Sequence, residues 1–162
     1  MNVQLLCTAC GHRLTEPLRR LPELPERPAR DPRNSNPDGS RHAPPTVPRG
    51  TYAVDPQPSG APYVPEPDWD TWMGTQGAFA YNGEQLVPAG PRDTLVVHPE
   101  DTLGRLSPRR DMQDPGCCGR HGREGPDQLC GSCGTPVATE LSECYGPYET
   151  HFLPDAVRVE SA

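Results

Sequence analysis

Two short stretches decide how this chain is read: Cys7-Thr8-Ala9-Cys10-Gly11-His12-Arg13-Leu14 near the start, and Cys130-Gly131-Ser132-Cys133-Gly134-Thr135-Pro136-Val137 near the end. Each sets two thiols three positions apart, follows the second with glycine, and arrives at an apolar residue three positions later. Two residues between cysteines allow a tight turn that aims both sulfurs at one ion, with backbone N–H groups directed at the sulfurs and glycine relieving the backbone behind them. The matched pair predicts one four-thiolate site, Cys7, Cys10, Cys130 and Cys133, holding a structural zinc ion and joining the two ends of the chain.

Three cysteines remain outside that set. The block 115–144 also supports a second arrangement, in which Cys117 or Cys118 joins Cys130, Cys133 and either His121 or Cys144. Loop closure does not choose between them. Extending a closed loop from about a dozen residues to about 120 costs only roughly 2 kcal/mol more, against roughly 10–16 kcal/mol from a structural zinc. The similarity of the two knuckles favours the long-range site. Seven cysteines and one histidine would also supply eight ligands, so two zinc ions stand as the alternative. Neighbouring side chains on an extended segment point to opposite faces, so one of Cys117 and Cys118 is expected to be buried and inert, and Cys144 to be a lone thiol. His12, His42 and His151 are expected at the surface.

Composition explains why such a chain needs a metal. It has 162 residues, of which 23 are Pro and 16 Gly, and it contains no Ile. Leu, Val and Phe together make up about 15% of the chain, below the roughly 20% at which charged chains tend to stay unfolded. A core that small struggles against roughly 1–2 kcal/mol per residue of backbone ordering entropy, so cross-links are expected. The 15 basic residues are all Arg and the net charge is −7. That balance disfavours nucleic acid as a partner, because phosphate contacts need a basic face. No apolar run approaches a membrane span and no signal-peptide pattern is visible. A cytoplasmic location follows as the expectation, with paired thiols there serving metals rather than disulfides.

The organisation expected from the sequence is an N-terminal knuckle (1–21), a Pro-rich, partly disordered linker (22–67), and a β-rich region (68–162) that packs with 1–21 as one domain. Val3-Gln4-Leu5-Leu6 reads as a strand and Arg13-Leu14-Thr15 as its return. Gly50-Thr51-Tyr52-Ala53-Val54 reads as an edge strand. The prolines between 22 and 48 suggest a solvated tether. Trp69 and Trp72 are expected to pack on the metal core. Ala78 to Val87 reads as a hairpin turning at Asn82-Gly83, Thr94 to Val97 as a strand, Pro99 to Leu106 as the start of a short helix, and His151 to Val159 as further strand.

The knuckles resemble those of zinc-ribbon and rubredoxin-like proteins. The chain also resembles small actinobacterial proteins of zinc-ribbon-like type. That resemblance is carried by Cys7-x-x-Cys10-Gly11-His12, by Gly50 to Pro56, and by the block running from Gly116-Cys117-Cys118-Gly119 through Gly125-Pro126-Asp127, Cys130-x-x-Cys133-Gly134 and Val137-Ala138-Thr139 to Cys144. It implies a zinc-ribbon-like class and no activity. The fold class expected is therefore a small β-rich, metal-stapled core with a long Pro-rich irregular segment.

For function, the primary expectation is a non-enzymatic adaptor or regulatory accessory, with another protein as partner on a metal-organised surface. The sharpest enzymatic alternative is a deaminase-like hydrolase. His98-Pro99-Glu100 follows a strand and Cys130-x-x-Cys133 comes about thirty residues later, so His98, Cys130 and Cys133 would bind a catalytic zinc and Glu100 would move the proton. Against it, Leu129 stands where proline is expected, Cys133-Gly134-Thr135-Pro136 reads as a turn rather than a helix start, and Cys7 and Cys10 are left unexplained. A thiol redox or zinc-responsive sensor is the third reading.

Overall fold

The computed structural model describes every residue except Arg30, Pro32 and Pro115. Among the described residues, nine strands form one sheet: β1 (Asn2–Cys7), β2 (Leu18–Arg20), β3 (Thr51–Asp55), β7 (Thr94–Val97), β8 (Leu106–Pro108), β9 (Gln128–Cys130), β10 (Pro136–Leu141), β11 (Glu149–Phe152) and β12 (Val157–Ser161). Their spatial order is β12-β1-β2-β3-β7-β11-β10-β9-β8. Only β2 and β3 run parallel; the other neighbours are antiparallel. A second sheet holds β4 (Tyr63–Pro65), β6 (Glu84–Pro88) and β5 (Phe79–Tyr81) in that order, with the single-turn helix α1 (Trp69–Met73) beside it. Among the described residues, no helix is long and apolar enough to cross a membrane.

The large sheet is curled. β1 and β9 each lie second from an edge, six inter-strand steps apart. In a flat sheet, at about 4.8 Å per step, that would be roughly 29 Å, yet the thiols of the two knuckles that follow these strands stand 3.6 and 3.7 Å apart. Contacts across the closure hold the two edges together. Glu16 N–H donates to Asp101 O at 2.9 Å, and Arg105 pairs with Glu16 at 2.7 Å.

Curling gives the sheet an inside. Leu5, Leu14, Leu18, Tyr52, Val97, Val137, Phe152 and Val157 form one apolar cluster together with Cys7 and Cys130. The opposite face of the central strands carries Ala53 and Val96, which pack under Val47, Leu21 and Leu24. Period-two alternation explains the division: Tyr52 pairs with Val97 and faces in, while Ala53 pairs with Val96 and faces out.

Thr51–Asp55 is not the edge strand expected of it. It lies between β2 and β7, with four of its five residues buried. Pro48 and Pro56 sit just outside it, so all its N–H groups remain free for ladders on both sides. Residues 22–67, read as a Pro-rich linker, contribute β3 and β4 to the sheets, and Ala43 and Val47 within this segment are buried. The return strand expected at 13–15 reduces to a single bridge, Leu6 with Arg13, and β1 takes Leu18–Arg20 as its partner instead.

The expected hairpin forms, with Asn82 at φ 49 and Gly83 at φ 79, the left-handed pair that a two-residue turn between twisted strands requires. Gly83→Ala should therefore cost about 1 kcal/mol, read as a fall of roughly 2–4 °C in the melting midpoint. Pro99–Thr102 forms a short 3-10 turn where a helix start was expected. The tryptophans do not reach the metal core. The indole N–H of Trp72 donates to Phe79 O and Leu86 O, at 3.3 and 3.1 Å, and Trp69 is 58% exposed. Their helix is tied to the small sheet, where Arg123 also lies over the Phe79 ring at 4.3 Å.

Candidate metal centre

Each knuckle closes in the same way. Cys7 N–H donates to His12 O at 2.9 Å and Gly11 N–H to Cys7 O at 2.8 Å; Cys130 N–H donates to Thr135 O at 2.8 Å and Gly134 N–H to Cys130 O at 2.9 Å. Gly11 and Gly134 have φ of 77° and 76°, the left-handed conformation that puts the chain onto its return path. The apolar residue beyond each glycine, Leu14 or Val137, is fully buried in the inner cluster and anchors its knuckle to the core.

The knuckles face one another with their order crossed. Cys7 Sγ lies 3.7 Å from Cys133 Sγ, and Cys10 Sγ lies 3.6 Å from Cys130 Sγ. All four sulfurs fall within 4.8 Å of one another. A tetrahedral ion with metal–sulfur bonds of about 2.3 Å has sulfur–sulfur edges of about 3.8 Å, so the set fits a metal ion with little adjustment. The first cysteine of each knuckle is buried and the second exposed. Burial pushes the Cys130 thiol up to about 11. The hydroxyl and backbone of Thr135 pull Cys133 down to about 6. One thiolate is thus ready for a metal, while the other ionises only as the metal arrives.

The strand that carries Cys130 starts at a buried acid. Asp127 Oδ1 accepts the Glu140 N–H at 2.8 Å, and Asp127 has no exposed surface. Burial raises its carboxyl to about 6, only partly offset by the Glu140 N–H and by Arg120. A raised acid costs stability above its folded pKa and nothing below its unfolded one. Asp127→Asn should therefore be about 2–3 kcal/mol more stable than the natural chain at pH 7, with the difference fading below about pH 4, as measured by urea unfolding.

The structure gathers a second group: Cys117, Cys118, Cys144 and Glu143, also within 4.8 Å of one another. Both neighbouring cysteines point into it, contrary to the expectation of opposite faces. Residues 117–119 bend rather than extend, and the two sulfurs are 3.5 Å apart. Cys144 is not a lone thiol either. The sequence reading missed Glu143. Its adjacency to Cys144 was the available signal, but an isolated Glu in an acidic chain does not stand out. His121, expected as an alternative ligand, is not in the group: its Nδ1 accepts the Arg123 N–H at 2.9 Å and its Nε2 lies 3.7 Å from Asp114.

His98 is placed elsewhere too. Its Nδ1 accepts the Glu100 N–H at 3.0 Å, capping the 3-10 turn, and its ring meets Tyr148 edge-on at 5.6 Å. Among the described residues it does not join Cys130 and Cys133 in any group of metal-ligating atoms. Of the histidines expected at the surface, His151 is buried: Thr94 Oγ1 lies 2.7 Å from its Nδ1, and its Nε2 meets Glu149 at 2.8 Å. No family model matches this chain, nor does any curated protein or solved structure.

Proposed function

We propose that this chain is a zinc-clasped, non-enzymatic adaptor or regulatory accessory protein of the cytoplasm, a member of an actinobacterial zinc-ribbon-like family, whose interaction surface is organised by the metal. The observation that carries this reading is the meeting of Cys7, Cys10, Cys130 and Cys133 from opposite ends of the curled sheet. Four thiolates complete a tetrahedron and leave no vertex for substrate, as structural zinc sites do. Exposed apolar side chains support a protein partner: Trp69 and Met73 of α1 and Tyr81 of β5 are 58%, 61% and 64% exposed.

The test combines metal content with capture. Native mass spectrometry should find zinc retained by the wild-type chain and missing from Cys7→Ser/Cys10→Ser. Affinity capture with the zinc-loaded chain should recover a partner that the chelator-treated chain does not. The deaminase-like reading would take over if zinc-loaded protein released ammonia from cytidine and Glu100→Gln abolished it. Reversible Cys130–Cys133 disulfide formation in metal-free protein would favour the redox reading.

A further inference from the structure

The Cys117–Cys144 group has the features of a built site. Glu143 Oε1 lies 3.3 Å from Cys117 Sγ and 3.5 Å from Cys144 Sγ, and Cys117 Sγ lies 3.5 Å from Cys118 Sγ. A tetrahedral ion with three sulfurs at about 2.3 Å and one oxygen at about 2.0 Å has edges of about 3.8 and 3.5 Å. The carboxylate also accepts backbone N–H bonds from Cys117, Cys118 and Cys144, each at 3.2 Å, so it fixes the backbone of all three thiol-bearing residues. The flanking glycines are required by this packing. A Cβ on Gly116 would sit 2.0 Å from Gly119 O and one on Gly119 would sit 2.2 Å from Ser142 O. Paired bonds between Arg120 and Ser142, at 2.9 and 2.8 Å, hold the two loops side by side.

We infer that Cys117, Cys118, Cys144 and Glu143 form a second metal site, distinct from the clasp, that takes a thiophilic divalent ion of the zinc class in exchange with solution and locks the rim of the neighbouring cavity. Exchange follows from construction. Cys117 and Cys118 are exposed, and one vertex is a carboxylate oxygen rather than a thiolate. An oxygen vertex is the one a small ligand displaces, leaving three thiolates on the ion. The link to the cavity follows from position. Arg120, His121, Arg123, Glu143, Tyr145 and Glu149 line a cavity of about 190 Å³; the first three belong to the loop carrying Cys117 and Cys118, Glu143 and Tyr145 flank Cys144, and Glu149 opens β11. An ion joining Cys117 and Cys118 to Cys144 ties one wall of that cavity to the other.

The site is tested on the full chain, stripped of metal and titrated with zinc alone. Wild type should bind two ions, and a chelator should remove one at least tenfold faster than the other without loss of far-ultraviolet ellipticity. Cys117→Ser/Cys118→Ser should bind one ion and keep the wild-type far-ultraviolet spectrum, whereas Cys7→Ser/Cys10→Ser should lose the slowly released ion. Glu143→Gln should weaken the fast-exchanging ion by at least about tenfold, the lower end of what losing even an outer carboxylate costs a metal site, because a neutral amide then replaces the carboxylate at one vertex. Hydrogen exchange at 116–123 and 143–147 should slow on the second equivalent of zinc. If Cys117→Ser/Cys118→Ser fails to fold, a cobalt titration of wild type decides: the second equivalent must add further thiolate-to-cobalt charge-transfer absorption. One ion per wild-type chain, two ions in Cys117→Ser/Cys118→Ser, or unchanged exchange in the two loops would overturn the inference, and none of these depends on the adaptor reading.

Discussion

Cys130→Ser is expected to lose the clasp metal and most of the stability of the fold. Cys130 is buried in the inner cluster and holds the knuckle at the far end of the curled sheet. Structural zinc sites contribute roughly 10–16 kcal/mol, comparable with the entire stability of an ordinary domain at about 5–15 kcal/mol. Replacing one thiolate by a hydroxyl leaves a poor ligand and a buried polar group. If only about half of the metal contribution is lost, the deficit is roughly 5 kcal/mol, or about 10–20 °C in a domain of this size. Calorimetry of the zinc-loaded proteins should show that shift, or no cooperative transition at all. The wild-type chain treated with chelator should behave alike, and adding zinc should restore it. A Cys130→Ser midpoint within a few degrees of wild type would mean that the core closes the sheet without metal.

The second large effect is expected at Arg27. This residue lies in the Pro-rich segment and reaches back onto the sheet, with its Nη2 donating to Glu149 at 2.8 Å and to Asp55 at 3.1 Å. Glu149 is fully buried and also meets His151 Nε2 at 2.8 Å. Burial alone would raise the Glu149 carboxyl, but the hydrogen bond and charge of His151, and then Arg27, hold it down at about 2. Arg27→Met keeps the apolar stem and removes the charge, leaving two acids near one another without the guanidinium they share. Breaking a buried pair in this way costs about 3–5 kcal/mol, a fall of roughly 10 °C. Limited proteolysis should then cut within 21–29, because Arg27 helps hold that stretch, packed through Leu21 and Leu24, over Val47, Ala53 and Val96. The pH dependence has a definite sign. A carboxyl lowered by folding contributes stability above its unfolded pKa, near 4.5, and that contribution is lost as pH falls toward about 2. Wild type should weaken across that window, and Glu149→Gln should show a flatter profile there.

The same two places show how far reading the residues goes. The knuckle spacing encodes local geometry, a turn of a few residues whose hydrogen bonds and positive φ depend on nothing distant. The two matched turns, Cys7 to His12 and Cys130 to Thr135, could therefore be anticipated from residue types alone. The Asn82-Gly83 hairpin was legible for the same reason. Trp69 and Trp72 were not, because apolar bulk says that a side chain wants company but not which company: α1 found the small sheet rather than the metal core. Arg27 was hidden among prolines, where a charged residue looks solvated until its partner, more than a hundred positions away, is brought alongside.

What the chain determined by itself, then, is a β-rich protein with two thiol knuckles and too little apolar side chain to hold a large core. Those properties are sums over composition and short-range pattern. The tertiary structure alone decided that Thr51–Asp55 is a central strand, that the nine strands curl until β1 meets β9, and that Glu143 stands among Cys117, Cys118 and Cys144. These depend on which strands pair and on the accumulated twist between them, and neither quantity is written in any local stretch of sequence.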